Sequence, residues 1–581
     1  MQYKTLMVPK ENGRKNLISL EGGRMSYVVG IDTGGTYTDA VLLDTEIQGA
    51  DCIKRKAKAI TTHEKLEIGI RNSIVSLGLS KSDISKIEKV VLSTTLATNA
   101  TVEGKIGQIG LLMIGGVPVG KLATNECIAV EGKVNIKGRI IRDIDKEEVK
   151  RAVKELMPKV KAFAVSGQAS VRNPILEQRV KAVIKSICDL PVVCGHELVS
   201  ELGYLERTNT AVVNAGLLPI IDNFVKAIKT ILDEQKIGAP VFVVKGDGTI
   251  AKIDAIRNTP IDTVLSGPAA SIIGAINLTG VKNAVVVDMG GTTTDIGIVR
   301  NKRVELSKDG AVVGDWQIRI RSAQLYTYGL GGDSAVKIDD GKIEIGPERL
   351  LPSCRGGEHN VTPTDVLHYT GEFVAWDRVN AVEAIREQAA LAETSSDEYV
   401  EQVRDAIADK IYNNLKRFRR IKCPICAIGA PAESWYRIAQ KQYNFNLMVP
   451  KHYEVANAVG AATSGVSVEI EAVIRLGEDS GGYLVHAVNE RFEFDELEDA
   501  LQKGVDVTKE YAVRLIQEQN LEISYIRYEC RNMYLDDDRI MYKELDVDED
   551  GTVVSEDDSD YGKYLETQIK VLVGGKIFAN A

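Results

Sequence analysis

The sequence predicts an α/β chain on a duplicated, two-lobed plan with a small C-terminal α+β domain, and three observations carry that prediction. The pattern Asp-x-Gly-Gly-Thr-x-Thr-Asp occurs twice, at residues 32–39 and 288–295, each time between two apolar, β-branched runs. Around both copies, short buried-looking runs alternate with amphipathic helical spacing, the signature of parallel strands joined by helices. Past Gly465 that alternation gives way to strand-like segments with a single helix.

Composition sets the outer limits. A chain of 581 residues is too long for one core and divides into domains, read here as 25–207, 208–465 and 466–581. Residues 1–24 are polar and lack a signal-peptide pattern; they precede a plausible start at Met25 and are read as an N-terminal extension outside the fold. The balance of 72 Lys+Arg against 82 Asp+Glu leaves −10, which offers no footprint for nucleic acid. Eight cysteines over this length make no disulfide framework and point to a reducing, cytoplasmic setting. No apolar run reaches the roughly 18 residues of a membrane span.

Each repeated pattern reads as strand, turn, strand. Glycines let backbone N–H groups close on a phosphate without Cβ interference, and threonine hydroxyls add hydrogen bonds. Asp32 and Asp288 end their strands facing the same phosphates. A carboxylate beside a polyphosphate is repelled unless a divalent cation lies between them, which implies Mg²⁺ held mostly through water. No lysine follows the glycines and no helix opens directly, so neither copy is a P-loop. An ordinary tight hairpin accounts for one copy alone; two copies suggest a nucleotide held between halves.

The remaining elements follow in order. Residues 61–77 carry helical spacing, 89–93 read as a strand, and Thr94 to Asn99 can cap the next helix. Residues 106–114 are a strand ending at Gly115-Gly116, 147–156 a helix and 162–165 a buried strand. Residues 208–234 form the longest helical pattern, expected to kink or restart at Pro219 and to run between the lobes, with Val241–Val244 opening the second lobe. Ser266-Gly267-Pro268 begins a helix whose N-terminus either faces an anion or is merely capped. Gly329-Leu-Gly-Gly-Asp-Ser334 either lines a cleft or simply turns.

Two helices span 377–420, split near Ser395, and Lys416, Arg417, Arg419 and Arg420 are cations at the second one's C-terminus. Cys423 and Cys426 lie in an apolar strand without further ligands, which argues against zinc. Gly429 and Ala430 then turn strand into helix, as backbone lying against an adenine requires. Residues 456–462 form a small-residue helix suited to close packing between lobes. The C-terminal part shows strands at 466–476, 482–488, 523–529 and 567–573, and a helix at 507–518. Asp546 to Asp557 resembles a calcium loop, but Asp stands where Glu is needed and a hairpin tip fits better.

The duplicated hairpin layout is similar to that of the actin, sugar kinase and Hsp70 superfamily, whose lobes are ribonuclease H-like. More specifically, the chain resembles the hydantoinase A/5-oxoprolinase family over about residues 27–465. The resemblance rests on Asp32-Thr-Gly-Gly-Thr-Tyr-Thr-Asp39, Ser93-Thr-Thr-Leu-Ala-Thr-Asn99, Tyr204-Leu-Glu-Arg-Thr-Asn-Thr-Ala211, Leu265-Ser-Gly-Pro-Ala-Ala270 and Asp288-Met-Gly-Gly-Thr-Thr-Thr-Asp295. The chain departs from it where the family usually has Gly-Ala-Gly-Gly-Gly-Ser (here residues 329–334), Pro-Gly-Pro-Ala-Cys-Tyr (here Leu351-Pro-Ser-Cys354 before Arg355-Gly-Gly357) and Phe-Gly-Gly-Ala-Gly-Pro (here Ile428-Gly-Ala-Pro-Ala432). Specificity is expected to have drifted in residues 329–357.

The resemblance implies that ATP phosphorylates an amide or carbonyl oxygen before a nucleophile attacks. Gly34, Gly35, Thr36, Gly290, Gly291, Thr292 and Thr293 would hold phosphates, Asp32 and Asp288 would act in catalysis by organising Mg²⁺ and water, and Gly429 and Ala430 would meet adenine. For Asp39 and Asp295, bracing their hairpins and catalysis both stay open. The implied reading is a cyclic-amide hydrolase needing a second, beta-type subunit. The alternatives are a ketone carboxylase subunit and an ATPase that activates a partner protein.

Overall fold

The structure, a computed structural model, describes residues 26–577 except 63–64, 340–341, 478–480, 488–489, 537–538 and 555–562. The extension 1–24 and Asp557, the last position of the calcium-like stretch, therefore lie outside the described residues.

The first repeat folds as an antiparallel hairpin of β1 (Tyr27–Thr33) and β2 (Tyr37–Asp44), with Asp32 opposite Asp39. All of β1 is buried, which explains its continuous apolar run in place of alternation. β3 (Ile53–Ile60) joins β2 antiparallel, α1 (Leu66–Ser76) follows, and β4 (Ile87–Thr94) joins β1 parallel. The next strand of this sheet is β5 (Val241–Val244), parallel to β4, with β6 (Ile250–Lys252) antiparallel at the edge. Val241–Val244 thus completes the first sheet and does not open the second. Nothing in a short, largely buried apolar run says which neighbour it pairs with.

The second repeat follows the same plan. β7 (Ala284–Met289) and β8 (Thr294–Arg300) form the hairpin, with Asp288 opposite Asp295. β9 (Leu325–Tyr328) pairs antiparallel with β8, β10 (Ile425–Ile428) parallel with β7, and β11 (Leu447–Met448) parallel with β10. The orders β3-β2-β1-β4-β5 and β9-β8-β7-β10-β11 match strand for strand and direction for direction.

The long helix α2 (Tyr204–Glu234) runs unbroken through Pro219, which lies on its exposed side. It does not lie between the two repeated sheets. Ile221, Phe224, Val225 and Ile228 pack into the core under the first sheet, while Ala211, Val212 and Ala215 pack against an inserted parallel sheet that includes Ile109–Ile114 and Ala162–Gly167. By length and hydropathy α2 could cross a bilayer, but those apolar residues are committed to internal packing.

The pair that crosses between the repeats is α3 (Ser266–Thr279) and α4 (Ala456–Thr463). A Cβ on Gly274 would stand 1.8 Å from Ala456 O, and one on Gly460 would stand 1.8 Å from Ala270 O, so the helix backbones touch. A Cβ on Gly30 of β1 would lie 2.1 Å from Ala458 O, and one on Gly297 of β8 would lie 2.3 Å from Ile272 Cδ1. Each helix therefore covers the sheet of the other half.

Past Gly465 a seven-stranded antiparallel sheet carries α5 (Leu497–Glu518), which begins ten residues before the expected 507. Ala500, Leu501 and Val505 lie in that earlier part and are buried in the core. The stretch from Asp546 is a hairpin tip: Asp548 Oδ1 accepts from the amides of Asp550 (3.0 Å) and Thr552 (2.7 Å). Cys423 and Cys426 are free thiols at β10, the latter buried. Arg417 lies over the Tyr326 ring at 4.0 Å and Arg419 over Tyr412 at 5.0 Å, so the basic run after residue 415 is partly anchored on aromatic faces.

Candidate functional site

The two hairpin turns close in the same way. Gly34 N–H donates to Tyr37 O at 3.0 Å and Gly290 N–H to Thr293 O at 2.9 Å. Their tips converge: a Cβ on Gly291 would lie 3.1 Å from Thr36 Oγ1, whereas one on Gly35 would meet nothing within 4 Å. Thr36, Gly291, Thr292 and Thr293 are partly exposed and Gly35 is open.

Each hairpin aspartate is fixed by a polar side chain from the crossing helix packed on its sheet. Asn457 of α4 donates to Asp32 Oδ2 at 3.1 Å, and Ser271 of α3 donates to Asp288 Oδ2 at 2.5 Å. Burial pushes Asp32 up to about 7; the carboxylates of Asp39 and Asp288 add to this, and Ser93 and Asn457 oppose it. Asp32 Oδ1 is buried and accepts no hydrogen bond of good geometry, although Ser93 is close enough to act on it. Enclosure likewise pushes Asp288 up to about 6, aided by Asp295 and Asp39 and opposed mainly by Ser271.

Asp39 forms an ion pair with Lys58 at 2.6 Å, and Asp295 accepts from Thr327 Oγ1 at 2.5 Å, so both are braced by the adjoining strand. They also feed charge into the same cluster. Four carboxylates from two hairpins thus meet with Lys58 as the cation paired to one of them. Such a set favours a bound divalent ion or retained protons.

The α3 N-terminus reaches this site: a Cβ on Gly267 would lie 3.9 Å from Asp32 Oδ1, and Ser266 Oγ donates to Thr94 O at 2.9 Å. Gly429 takes φ +93°, and a Cβ there would come within 2.7 Å of Asp288 Oδ1 and 2.3 Å of Met289 O, so only glycine fits. Ala430 beside it is exposed. The glycine-rich loop at 329–334 sits on the second tip, with Gly332 N–H donating to Gly290 O at 2.9 Å and Asp333 N–H to Gly291 O at 2.6 Å.

Ser93, Ser271, Asn457 and Lys58 escaped the sequence reading as site residues. Ser93 and Asn457 fall within motifs or helices recognised for other reasons, while Ser271 and Lys58 look like unremarkable helix and strand residues. Two other features lie elsewhere. A surface cavity of about 520 Å³ is lined by Tyr369, Arg378, Asp397 and Glu401, none of them a hairpin residue. Buried Glu177, Cys194 and His196 cluster in the inserted sheet, but Glu177 is spent on the Gly167 amide (2.7 Å) and on His196 N (3.0 Å) and Nδ1 (2.5 Å).

The family model described as hydantoinase/oxoprolinase matches residues 207–470, and that of the family's N-terminal region matches residues 28–188. The chain is 29% identical over 423 residues to the acetophenone carboxylase gamma subunit of Aromatoleum aromaticum, covering 62% of this chain and 57% of that protein. It is 29% identical over 415 residues to caprolactamase subunit alpha of Pseudomonas jessenii, covering 63% and 59%. The matched region is thus under two thirds of either relative's length. The crystal structure of the ATP-dependent caprolactamase from Pseudomonas jessenii superposes with a TM-score of 0.73 at 21% identity, over 95% of this chain and 88% of that one, a likeness of fold.

Proposed function

The chain belongs to the hydantoinase/oxoprolinase family, and from that premise we propose that it binds Mg-ATP between its hairpins and phosphorylates the carbonyl oxygen of a cyclic amide, as one subunit of an ATP-dependent hydrolase. In this reading the two repeated sheets are the lobes of an actin/Hsp70-like ATPase. The observation that carries it is the convergence of Asp32 and Asp288, from two copies of one strand plan, in a single carboxylate cluster.

The residues present fit a cation. Asp32 Oδ1 is buried with no hydrogen bond of good geometry among the described residues, and burial and crowding raise Asp32 and Asp288 well above the usual carboxylate range when nothing neutralises them. Asp32 and Asp288 would hold Mg²⁺ through water, and the ion, when bound, supplies charge neutralisation on the transferred phosphoryl group. The backbone amides of Gly34, Gly35, Gly290 and Gly291 and the hydroxyls of Thr36, Thr292 and Thr293 orient the phosphates. Gly429 and Ala430 bound the nucleoside side. Asn457 and Ser271 keep both carboxylates in place, so that little reorganisation is needed during transfer.

The carbonyl oxygen attacks the terminal phosphorus, the O–P bond forms, the bridging P–O bond to ADP breaks, and the amide carbon becomes electrophilic. Water then adds at that carbon, the ring C–N bond breaks with its electron pair and a proton going to nitrogen to leave an acyl phosphate, and a second water displaces inorganic phosphate to give the free carboxylate. We assign the water-addition step to a second subunit. A second reading, transfer to a ketone enolate ahead of carboxylation, is favoured by the equal identity to the acetophenone carboxylase subunit.

The test is ADP release by the chain co-purified with its native partners. Stimulation by cyclic amides supports the hydrolase; stimulation by ketones only with bicarbonate selects the carboxylase. Turnover that responds to a partner protein and to no small molecule makes the chain an activating ATPase. Absence of any nucleotide turnover contradicts all three.

A further inference from the structure

At the hairpin tips one guanidinium is tightly oriented and scarcely used. Arg355 lies in the turn Ser353–Arg355 with its side chain only 16% exposed. Its guanidinium carbon is 5.7 Å from the Tyr37 ring centroid and 5.4 Å from that of Trp376. Those rings are nearly parallel, 15° apart, and Trp376 stacks in turn on buried His368 at 5.4 Å. The aromatic faces fix the plane of the fork without consuming its donors. Of five N–H donors, one is engaged among the described residues, to Asp333 Oδ2 at a long 3.5 Å.

Arg349 reaches the same oxygen at 3.3 Å and also Thr36 Oγ1 at 3.2 Å. One carboxylate oxygen therefore serves two guanidinium groups, and Asp333 is itself tied by its amide to Gly291 O of the second tip. Two guanidinium groups thus face one carboxylate oxygen where the tips meet, in a chain of net charge −10. A merely structural pair would be expected to meet its carboxylate in a shorter, bidentate arrangement.

We propose that Arg355 and Arg349, walled by Tyr37 and Trp376, form a binding site for an oxyanion delivered to the hairpin tips, with Asp333 as the internal group the ligand displaces. The oxyanion is the terminal phosphate of the nucleotide or a carboxylate borne by the acceptor; either presents two oxygens to the fork. The proposal deepens the phosphoryl-transfer reading and rests on it for the nucleotide's position.

The experiment uses the full chain and the variants Arg355→Ala, Arg355→Lys and Arg349→Ala. Calorimetry measures Mg-ADP and a non-hydrolysable Mg-ATP analogue and then, with Mg-ADP present, inorganic phosphate and 5-oxoproline. We expect Arg355→Ala to weaken one anion class by about tenfold or more, with Arg355→Lys restoring only part and Mg-ADP affinity unchanged. Loss confined to the triphosphate analogue identifies the terminal phosphate; loss confined to the carboxylate, or to inorganic phosphate competing with it, identifies the acceptor. Binding of every probe unchanged in both alanine variants, or no anion binding by the wild type, overturns the proposal. A wild type that binds the anions in an Arg355-dependent way but no nucleotide would sink the function reading and leave this site standing.

Discussion

Asp32 is an acid whose proton the fold, without a cation, retains toward neutral pH. Its pKa lies near 7 in the fold against 3.8 for an ordinary Asp, mainly through burial. A carboxyl raised on folding makes the native state bind the extra proton between those values, so its contribution to stability falls as pH rises from about 4 to 7. Asp288, raised to about 6, acts in the same direction over a narrower window. Asp32→Asn should therefore raise the melting temperature of the metal-free chain at pH 7.5 by roughly 1–3 °C and flatten its pH dependence, while lowering nucleotide affinity about 10–100-fold. A lower melting temperature in calorimetry would count against the crowded-carboxylate account. Gly35 gives the complementary test: a Cβ there meets nothing within 4 Å among the described residues, so Gly35→Ala should melt within about 1 °C of wild type. Its nucleotide affinity should nonetheless fall roughly tenfold, by occupancy of the phosphate's space. At this scale the hairpin residues were legible because type and spacing repeat. Asn457 was not, because 425 positions separate it from the carboxylate it holds.

The α3/α4 crossing joins the halves at glycine. A methyl group on Gly274 or Gly460 would stand 1.8 Å from a helix carbonyl, a distance no rotamer relieves. Gly274→Ala should therefore cost more than about 3 kcal/mol in denaturant unfolding, or prevent folding. A loss below about 1 kcal/mol would mean that the helices do not touch as described. The small-residue run at 456–462 announced a close crossing, but the long helix expected to run between the lobes is not the one it meets; α3 is. α2 carries the longest helical pattern in the chain, and periodicity reports that a helix has a buried side without saying which sheet it meets. For the same reason Val241–Val244 was assigned to the wrong sheet: pairing is set by topology, and the residues between β4 and β5 contain a whole inserted sheet.

The whole molecule repeats one five-strand order and then seals it with a further sheet. A single apolar core runs from Val28 and Val41 through α3 and α4 to Val571 and Val573, so the C-terminal sheet is continuous with the two repeated halves and is no detachable appendage. Truncation after Gly465 should expose that surface and give aggregated or molten protein by gel filtration and circular dichroism. A soluble truncation with native melting would contradict the shared core. The duplication itself was legible from the paired motifs, and with it the convergence of the two hairpin tips; the loops at 329–357, whose Gly332 and Asp333 pack on the second tip, were legible only as departures from a family pattern. The central claim, that Asp32 and Asp288 hold Mg-nucleotide between the hairpins, is tested most directly by titrating a non-hydrolysable Mg-ATP analogue into wild type and Asp288→Ala by calorimetry. The account predicts one saturable site in the wild type, abolished by removing Mg²⁺ and weakened about tenfold or more by the substitution. Equal affinity in the two proteins, or no binding by the wild type, would contradict it.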